Sequence, residues 1–375
     1  MLSFTPGPQI EKELIRFQGD LIETWNSVTA LSSDELAYMH RQALISTIGA
    51  STRIENAVLT DQEIDWIDTT LSQDSRPTAF ETRKEFINNK LSKDRQRSIE
   101  EVVGCREMLT TVYQQAGELF PFTEAHLRSL HHELLRYYPQ AAQYAGGYKS
   151  TTNKVVSYNH ETGQQLTILA PADPGIITQT AMADLIVWYN DSIRETPWPV
   201  LVAVEFVFRF LAIHPFQDGN GRLGRGLFIL ALLQCDDKYL RETVPYLAID
   251  RQIEKNKALY YKVLHQASNG QFHQDPTLYQ YATLVRFFIK ILAAALADVN
   301  IYRTRYANLQ KLSATARNVL HCFKASPEKL LQVAELEKKT ALPRRTIQYA
   351  LKTLAEKGFL HRLGHGAGSR YQLIF

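Results

Sequence analysis

Polar and charged residues are concentrated in one short segment, from His214 to Arg225, between two strongly apolar stretches. Its sequence is His-Pro-Phe-Gln-Asp-Gly-Asn-Gly-Arg-Leu-Gly-Arg. Polar groups placed between buried elements need hydrogen-bond partners or a ligand, because burying them unpaired is costly. The segment therefore predicts a functional site. Two of its residues suggest a reaction. His214 can act as a general base near neutral pH, and Asp218 can hold Mg²⁺, which commonly takes one or two protein carboxylates and binds phosphate oxygens as well.

The remaining residues of the segment suggest an anion site. Glycines on either side of Asn220 allow close approach of the main chain to a ligand. A helix is predicted to begin at about Arg222, and main-chain N–H groups at a helix N-terminus bind anions. Arg222 and Arg225 add two cationic groups. A base, a metal ligand and an anion site together indicate phosphoryl or nucleotidyl transfer.

Two other interpretations of the segment stay open on these grounds. The spacing Gly-x-Gly-x-x-Gly that begins at Gly219 also occurs in dinucleotide-binding loops, but those loops follow a β-strand, whereas a helix is predicted here. Alternatively, the segment is structural, with His214 capping a helix and with Asp218 and Asn220 shaping a tight turn. That alternative leaves the two arginines beside a base unexplained.

The segment resembles the signature of the Fic (Fido) family, His-x-Phe-x-Asp/Glu-Gly-Asn-Gly-Arg-x-x-Arg, and matches it at every fixed position. Members of this family usually transfer AMP from ATP to a hydroxyl side chain of a protein and release pyrophosphate. The resemblance implies that His214 deprotonates the attacking hydroxyl and that Asp218 binds Mg²⁺. It also implies that ATP contacts the residues that follow, namely Gly219, Asn220, Gly221, Arg222, Leu223, Gly224 and Arg225, with Arg225 at the γ-phosphate.

Apolar residues at 155–158 and 166–169 flank the polar run Asn159–Gly163 and predict a β-hairpin. By resemblance, the segment from Val155 to Pro171 is the flap that aligns a target segment by strand addition. A surface excursion without that role is the alternative. The pair Tyr260–Tyr261 resembles tyrosines that line the adenine pocket in the family, with core packing as its alternative.

A second motif, Ser51-Thr-Arg-Ile-Glu55-Asn56, matches the pattern Ser/Thr-x-x-x-Glu-Gly/Asn of the autoinhibitory helix in many Fic proteins. Ser51 and Glu55 are one helical turn apart, so we expect the hydroxyl to orient the carboxylate. Glu55 is then expected to pair with Arg225 and to make ATP binding unproductive. The alternative is that Glu55 is a solvated residue at a helix end.

Apolar residues spaced three to four apart predict a mainly α fold around these motifs. We predict helices over residues 33–55, 61–71, 79–89, 93–115, 124–136, 179–191, 199–213, 222–235, 256–267 and 278–312. Three domains are expected: an N-terminal helical region with the inhibitory helix (1–110), a helical Fic (Fido) core with the β-hairpin flap (111–312), and a C-terminal winged helix-turn-helix (313–375).

The C-terminal 63 residues are basic, with 11 Lys or Arg and 4 Asp or Glu, whereas the whole 375-residue chain carries a net charge of only +3. The winged helix is predicted from three helices, which begin at Ala314, Ser326 and Pro343, and from a terminal hairpin. Its basic residues suit contacts with DNA phosphates. The candidate DNA contacts are Arg344, Arg345 and Lys352 on the predicted recognition helix and Arg362 and Arg370 on the wing. Dimerisation, protein docking and a solvated basic face are the alternatives.

Composition places the chain among globular proteins, with 45% hydrophobic and 22% charged residues. Cys105, Cys235 and Cys322 are scattered, which disfavours a disulfide framework or a zinc site. The N-terminus lacks a secretory pattern, and no apolar run is long enough for a membrane span. We expect a cytoplasmic protein without a membrane partner.

The sequence therefore predicts a protein adenylyltransferase that uses ATP and Mg²⁺ and is autoinhibited by Glu55. Its expected target is a Ser, Thr or Tyr hydroxyl of another protein or of the chain itself, and a homodimer is a candidate assembly. Two alternatives remain: a DNA-binding regulator that uses the Fic domain as a nucleotide sensor, and a Fic enzyme that transfers another phosphate-containing group or removes AMP.

Overall fold

The structure, a computed structural model, describes residues 1–72, 79–158 and 165–374. It is mainly helical, which confirms the predicted mainly α class. The helices up to the flap are α1 (Pro8–Thr29), α2 (Ser33–Ile54), α3 (Asp61–Leu71), α4 (Phe80–Leu91), α5 (Gln96–Gln115), α6 (Glu124–Leu135) and α7 (Pro139–Ala142). After the flap follow α8 (Ile176–Ser192), α9 (Pro199–Ile213), α10 (Asn220–Gln234), α11 (Lys238–Thr243), α12 (Ile249–Lys255), α13 (Lys257–Ser268) and α14 (Tyr281–Gln310).

Helices α9 and α10 form the centre of the core and pack against each other. Nearly every residue of both helices is buried, from Val200 to Ile213 and from Leu223 to Gln234. A helix that is apolar on all sides is stable only when it is surrounded by other elements. The loop between them, 214–219, is therefore held at both ends by buried helices.

Helix α2 lies against α5, α12 and α14. The Ser32 hydroxyl accepts a hydrogen bond from the Glu35 N–H at 3.3 Å and caps the N-terminus. Near the C-terminus the buried face carries small and polar residues, including Ser46, Thr47 and Ser51. These short side chains allow the main chain of α2 to approach its neighbours closely.

A β-hairpin projects from the helical body. Strand β1 (Val155–Tyr158) pairs antiparallel with β2 (Gln165–Leu169), as the sequence predicts. The predicted turn at Asn159–Gly163 lies outside the described residues. The chain leaving β2 is held by hydrogen bonds from the Ala170 N–H to the Gly270 carbonyl (2.9 Å) and from the Phe272 N–H to the Ala170 carbonyl (3.0 Å).

The C-terminal region contains α15 (Ala314–Lys324), β3 (Leu331–Gln332), α16 (Val333–Thr340), α17 (Arg344–Glu356), β4 (Leu360–Leu363) and β5 (Arg370–Leu373). Its strands form an antiparallel sheet in the order β3-β5-β4. The predicted helix start at Ser326 is wrong, because a capping box between Gln332 and Glu335 starts α16 seven residues later, at Val333. Buried apolar residues of this region form a cluster of their own, separate from the main core.

Cys105, Cys235 and Cys322 are buried free thiols. Burial raises the pKa of Cys105 and of Cys235 to about 12, so both stay protonated at neutral pH. Within the three described ranges, no helix combines the length and the apolar character that a membrane span requires.

Candidate functional site

A cavity of about 360 Å³ opens at the junction of α2, α5, β2, α9, α10 and α13. Its lining combines ionisable residues with apolar and aromatic ones. The ionisable side chains are Glu55, Arg97, Glu101, Lys154, His214, Asp218, Arg222 and Arg225, together with the phenols of Tyr260 and Tyr261. The apolar side chains are Ile168, Leu169, Phe208, Leu211, Ala212 and Leu264. This combination suits a ligand with an anionic part and a flat apolar part.

His214 directly follows α9 and has a left-handed main chain, with φ at 51°. Its N–H donates to the Phe210 carbonyl at 2.8 Å. Its Nδ1 lies 3.3 Å from the Leu211 carbonyl oxygen, so this nitrogen carries the proton and leaves the Nε2 lone pair free. Burial, reinforced by Lys149, lowers the pKa of His214 to about 4. The imidazole is therefore neutral at pH 7, as a general base must be.

The loop after His214 is held by its own side chains. The Asn220 side chain accepts a hydrogen bond from the Phe216 N–H (3.0 Å) and donates one to the Phe216 carbonyl (2.7 Å). The Phe216 ring stacks on His131 with 3.7 Å between centroids. The Gly146 N–H donates to His131 Nδ1 (2.9 Å), so Nε2–H donates to the Asp218 carbonyl (2.9 Å). The Asn220 side chain is therefore committed to the loop, and any contact with a phosphate comes from its N–H.

The start of α10 supplies donors for an anion. The Leu223 N–H donates to the Gly219 carbonyl (2.9 Å), so the three preceding N–H groups lie in the first turn, before the helical ladder begins. Arg222 is only 3% exposed, yet its Nε and Nη1 have no hydrogen-bond partner among the described residues. Buried donors without partners are rare. These groups therefore mark a place where a bound anion would be stabilised.

Asp218 is the carboxylate of the loop that reaches solvent, with 43% of its side chain exposed. It accepts a hydrogen bond from the Gly219 N–H at 2.6 Å and lies 3.4 Å from Arg222 Nη2. No cluster of three metal-ligating side chains occurs in the described part of the chain. One exposed carboxylate beside an anion site still fits Mg²⁺, because phosphate oxygens and water complete its coordination.

Arg225 is 3% exposed, and all its donor atoms have acceptors. Its Nη1 and Nη2 donate to Glu55 Oε1 at 3.0 and 3.1 Å. Its Nε and Nη2 donate to the Ser51 hydroxyl and carbonyl at 3.0 and 2.7 Å. Asp250 lies on the far side, with Oδ2 3.5 Å from Nε. The Glu55 carboxylate also lies directly against the main chain of Gly221, so it fills space at the start of α10.

Burial raises the pKa of Asp250 to about 6, against the opposing effect of Arg225. The Asp250 carboxylate is thus mostly ionised at neutral pH. Arg225 is held between two carboxylates, one buried and one at the cavity surface.

Several predicted site residues have other positions than expected. Ser51 bonds to Arg225, and no hydrogen bond joins its side chain to Glu55 among the described residues, so the hydroxyl orients the guanidinium instead. Asn56 adopts φ of 72° and accepts a hydrogen bond from Lys257 Nζ (3.3 Å) outside the cavity. Leu223 is buried in the core, and Gly224 packs on Phe210 and Leu211, so neither lines the cavity.

Both interpretations of the tyrosine pair are partly supported. Tyr260 and Tyr261 line the cavity, with 5.4 Å between their ring centroids. Tyr260 is also buried and contacts Phe287 and Phe288 of the core. The pair therefore belongs to the cavity wall and to the core at once.

The residues near the site that are not predicted from sequence include Glu101, His131, Lys149 and Asp250. His131 follows Leu127 and Leu130 on the buried face of α6, and a histidine on an apolar face was its only signal. Asp250 belongs to α12, which is absent from the predicted helices. Glu101, one turn after Arg97 on α5, lies 3.9 Å from Arg222 Nη1.

The basic residues of the C-terminal region differ in their surroundings. Arg344 pairs with Glu337 (3.3 Å) and Lys352 lies 3.8 Å from Glu356. Arg362 donates to the Ser369 hydroxyl at 2.9 Å, whereas Arg345 and Arg370 are exposed. Exposed side chains recur along one face of α17 at Arg345, Gln348, Tyr349 and Lys352.

Residues 121–232 match the family model described as Fic/DOC family. The chain is also similar to solved structures. A Fic family protein from Desulfovibrio desulfuricans G20 has 21% identity and a TM-score of 0.57, and the match covers 100% of this chain and 98% of that one. A Fic domain containing signaling protein from Bacteroides thetaiotaomicron VPI-5482 has 22% identity and a TM-score of 0.55, over 77% of this chain and 96% of that one.

Fic-1 from C. elegans has 19% identity and a TM-score of 0.53, and the match covers 79% of this chain and 73% of the solved one. The matched residues 121–232 include the whole segment from His214 to Arg225. The chain therefore contains a Fic/DOC family domain and adopts a Fic fold.

Proposed function

We propose that the protein is an autoinhibited adenylyltransferase that transfers AMP from ATP to a protein hydroxyl and releases pyrophosphate. One observation carries the proposal: a neutral histidine with a free Nε2 lies in the same cavity as Arg222, whose Nε and Nη1 lack hydrogen-bond partners among the described residues, and as the N-terminus of α10. A base beside an anion site suits attack of a hydroxyl on a phosphate.

The shape of the cavity supports ATP as the donor. We propose that the adenine binds among the apolar and aromatic residues of the lining, beside Tyr260 and Tyr261, and that the phosphate chain binds the donors of Arg222 and of the start of α10. Mg²⁺ would be held by Asp218 and the phosphates, where it neutralises charge on the phosphate oxygens.

The proposed reaction is a displacement at the α-phosphorus. His214 Nε2 takes the proton of the attacking Ser, Thr or Tyr hydroxyl, whose oxygen then bonds to the α-phosphorus. The bond from that phosphorus to the bridging oxygen breaks, and pyrophosphate leaves with the electron pair. The hairpin of β1 and β2 is the surface along which we propose the target segment binds as an added strand.

The contact between Glu55 and Arg225 supports autoinhibition. We propose that Arg225 binds the γ-phosphate, and that in the resting protein Glu55 pairs with Arg225 in place of that phosphate. ATP then lacks this contact and binds with its α-phosphate misplaced, so transfer is slow.

Incubation with ATP labelled on either the α- or the γ-phosphate tests the proposal. The Glu55→Gly variant should incorporate the α-label and not the γ-label into protein, and His214→Ala should incorporate neither. His321→Ala, at an exposed histidine of α15, is the control variant and should behave as wild type. Retention of full labelling in His214→Ala would sink the proposal. The mass of the adduct distinguishes AMP from other phosphate-containing groups.

DNA binding by the C-terminal region is a second candidate function. The exposed face of α17 presents Arg345, Gln348, Tyr349 and Lys352, and the helix packs through its other face on α15, α16 and β4. Such a helix resembles the recognition helix of a winged helix, in which basic residues contact phosphates. We expect duplex binding by the full chain to weaken steeply with salt. In Arg345→Gln the slope of the logarithm of affinity against the logarithm of salt concentration should become shallower by about 1, whereas Lys12→Gln, at an exposed lysine of α1, should leave it unchanged.

A further inference from the structure

Lys149 is a buried cation next to the catalytic loop. Its side chain is almost fully buried, with the residue 4% exposed, and no carboxylate forms an ion pair with it among the described residues. Its Nζ donates to the Ile213 carbonyl (3.0 Å) and to Asn153 Oδ1 (3.1 Å). Its N–H donates to the Pro215 carbonyl (2.8 Å). Burial of an ammonium group is costly, and it lowers the pKa of Lys149 to about 8 against the opposing effect of Asp173, so the group is still mostly charged at pH 7.

These bonds hold the peptide groups on both sides of His214. Ile213 precedes His214 and Pro215 follows it, and Lys149 binds the carbonyls of both. The Ile213 carbonyl is also one of the last four of α9, which lack partners within the helix and attract cations. A left-handed conformation is unfavourable for a residue other than glycine, so the conformation of His214 needs support from its surroundings.

Further contacts extend this attachment towards the hairpin. Asn153 Nδ2 donates to the Phe216 carbonyl (2.9 Å), and the Thr151 hydroxyl donates to Gln217 Oε1 (2.9 Å). Tyr148 forms an isolated antiparallel bridge with Phe216. Residues 148–153 are thus bonded along residues 213–217, and β1 begins two residues later, at Val155. Residues 148–153 therefore connect the segment around His214 directly to the hairpin.

We propose that Lys149 is a positioning residue that fixes His214 Nε2 relative to the hairpin on which the target hydroxyl arrives. The inference rests on the proposed transfer reaction only in its predicted effect on kcat. The conformation and the titration of His214 depend on Lys149 whatever reaction the site performs. Lys149 also keeps the pKa of His214 low, while Glu55 and Asp218, which face the ring from α2 and the loop, raise it.

Substitution of Lys149 tests this role by kinetics. Lys149→Met keeps the length and apolar stem of the side chain but removes its charge and its donors. In the Glu55→Gly background it should lower kcat by about 10²-fold, because small misplacements of reacting groups have effects of that size. The KM for ATP should stay unchanged, because Lys149 does not line the cavity. Lys149→Arg should restore most of kcat, and Lys12→Met, at an exposed lysine of α1, should have no effect.

A second measurement does not need enzymatic activity. Histidine side-chain NMR, with the His214 signal assigned by its loss in His214→Ala, should show a higher pKa for His214 in Lys149→Met than in the wild type. Unchanged kcat together with an unchanged His214 titration would overturn the inference. Absence of transfer by Glu55→Gly itself would refute the proposed function and leave the NMR result to decide on Lys149. If Lys149→Met fails to fold, Asn153→Ala takes its place, because Asn153 accepts a hydrogen bond from Lys149 Nζ. An unchanged kcat together with an unchanged His214 titration in Asn153→Ala would also contradict the inference.

Discussion

Removal of the Glu55 carboxylate should activate the protein, and the size of the effect follows from its contacts with Arg225. Glu55 Oε1 accepts hydrogen bonds from Arg225 Nη1 and Nη2, and one third of its side chain is exposed (33%). Hydrogen bonds to charged groups contribute about 1.5–3 kcal/mol, and exposure to water reduces that value. We therefore take about 1.5–2 kcal/mol for the pair, which corresponds to an increase of about 10- to 30-fold in transfer rate.

The assay compares initial rates of α-label incorporation into protein for matched variants. Glu55→Gly should show the full increase. Glu55→Gln should lie between it and the wild type, because the amide still accepts a hydrogen bond but carries no charge. Asp34→Asn removes a carboxylate at the other end of the same helix, far from Arg225, and serves as the control.

Two results would refute this reasoning. A folded Glu55→Gly variant with the rate of the wild type would show that the contact with Arg225 does not limit transfer. Equal activation by Asp34→Asn would show that loosening of α2, rather than release of Arg225, is responsible. Circular dichroism of each variant establishes that it is folded.

Three further predictions follow from the same geometry. In the Glu55→Gly background, Asp250→Asn should raise the KM for ATP about tenfold by steady-state kinetics, or about 1.4 kcal/mol, because Arg225 loses the buried ion pair with Asp250 that helps to hold it in place; an unchanged KM contradicts this role. The kcat of Glu55→Gly should be constant between about pH 6 and 7 and fall at about pH 4 or below, where His214 takes a proton, since removal of Glu55 lowers the His214 pKa further; a midpoint at the ordinary histidine pKa would disprove it. His131 also has its pKa lowered to about 4 by burial, so the unfolded chain binds the proton more readily. The unfolding free energy of the wild type relative to His131→Gln should therefore drop by up to about 3 kcal/mol between pH 6.5 and 4 in denaturant titrations, and a rise would contradict it.

The loop residues of the site are predictable from sequence because they are close together in the chain. The segment from His214 to Arg225 supplies the histidine, the carboxylate and the arginines within one loop and one helical turn, so spacing alone places them together. Glu55 was predictable only through a second short motif. Its contact with Arg225 spans 170 positions, which no periodicity reveals.

The supporting residues were not predictable for the same physical reason. Lys149 and His131 come from separate elements, and they meet the catalytic loop through carbonyl oxygens, which carry no sequence information. Asp250 lies on the seven-residue helix α12, too short for a periodic pattern to be recognised. By contrast, α1 is absent from the predicted helices, although its buried residues Ile10, Leu14, Phe17 and Leu21 are spaced three to four residues apart.

Because Glu55 and Arg225 belong to one folded chain, their contact is intramolecular and has a fixed effective concentration. Dilution of the protein therefore cannot weaken it, unlike inhibition by a separate subunit. The end of α2 is also tied to α12, since Arg53 Nε lies 2.7 Å from Glu254 Oε1, and to α3, through Asp61 at 2.7 Å. Under the proposed autoinhibition, an activator would have to change the local stability of this helix end, so its effect should saturate with activator concentration and not depend on the amount of enzyme.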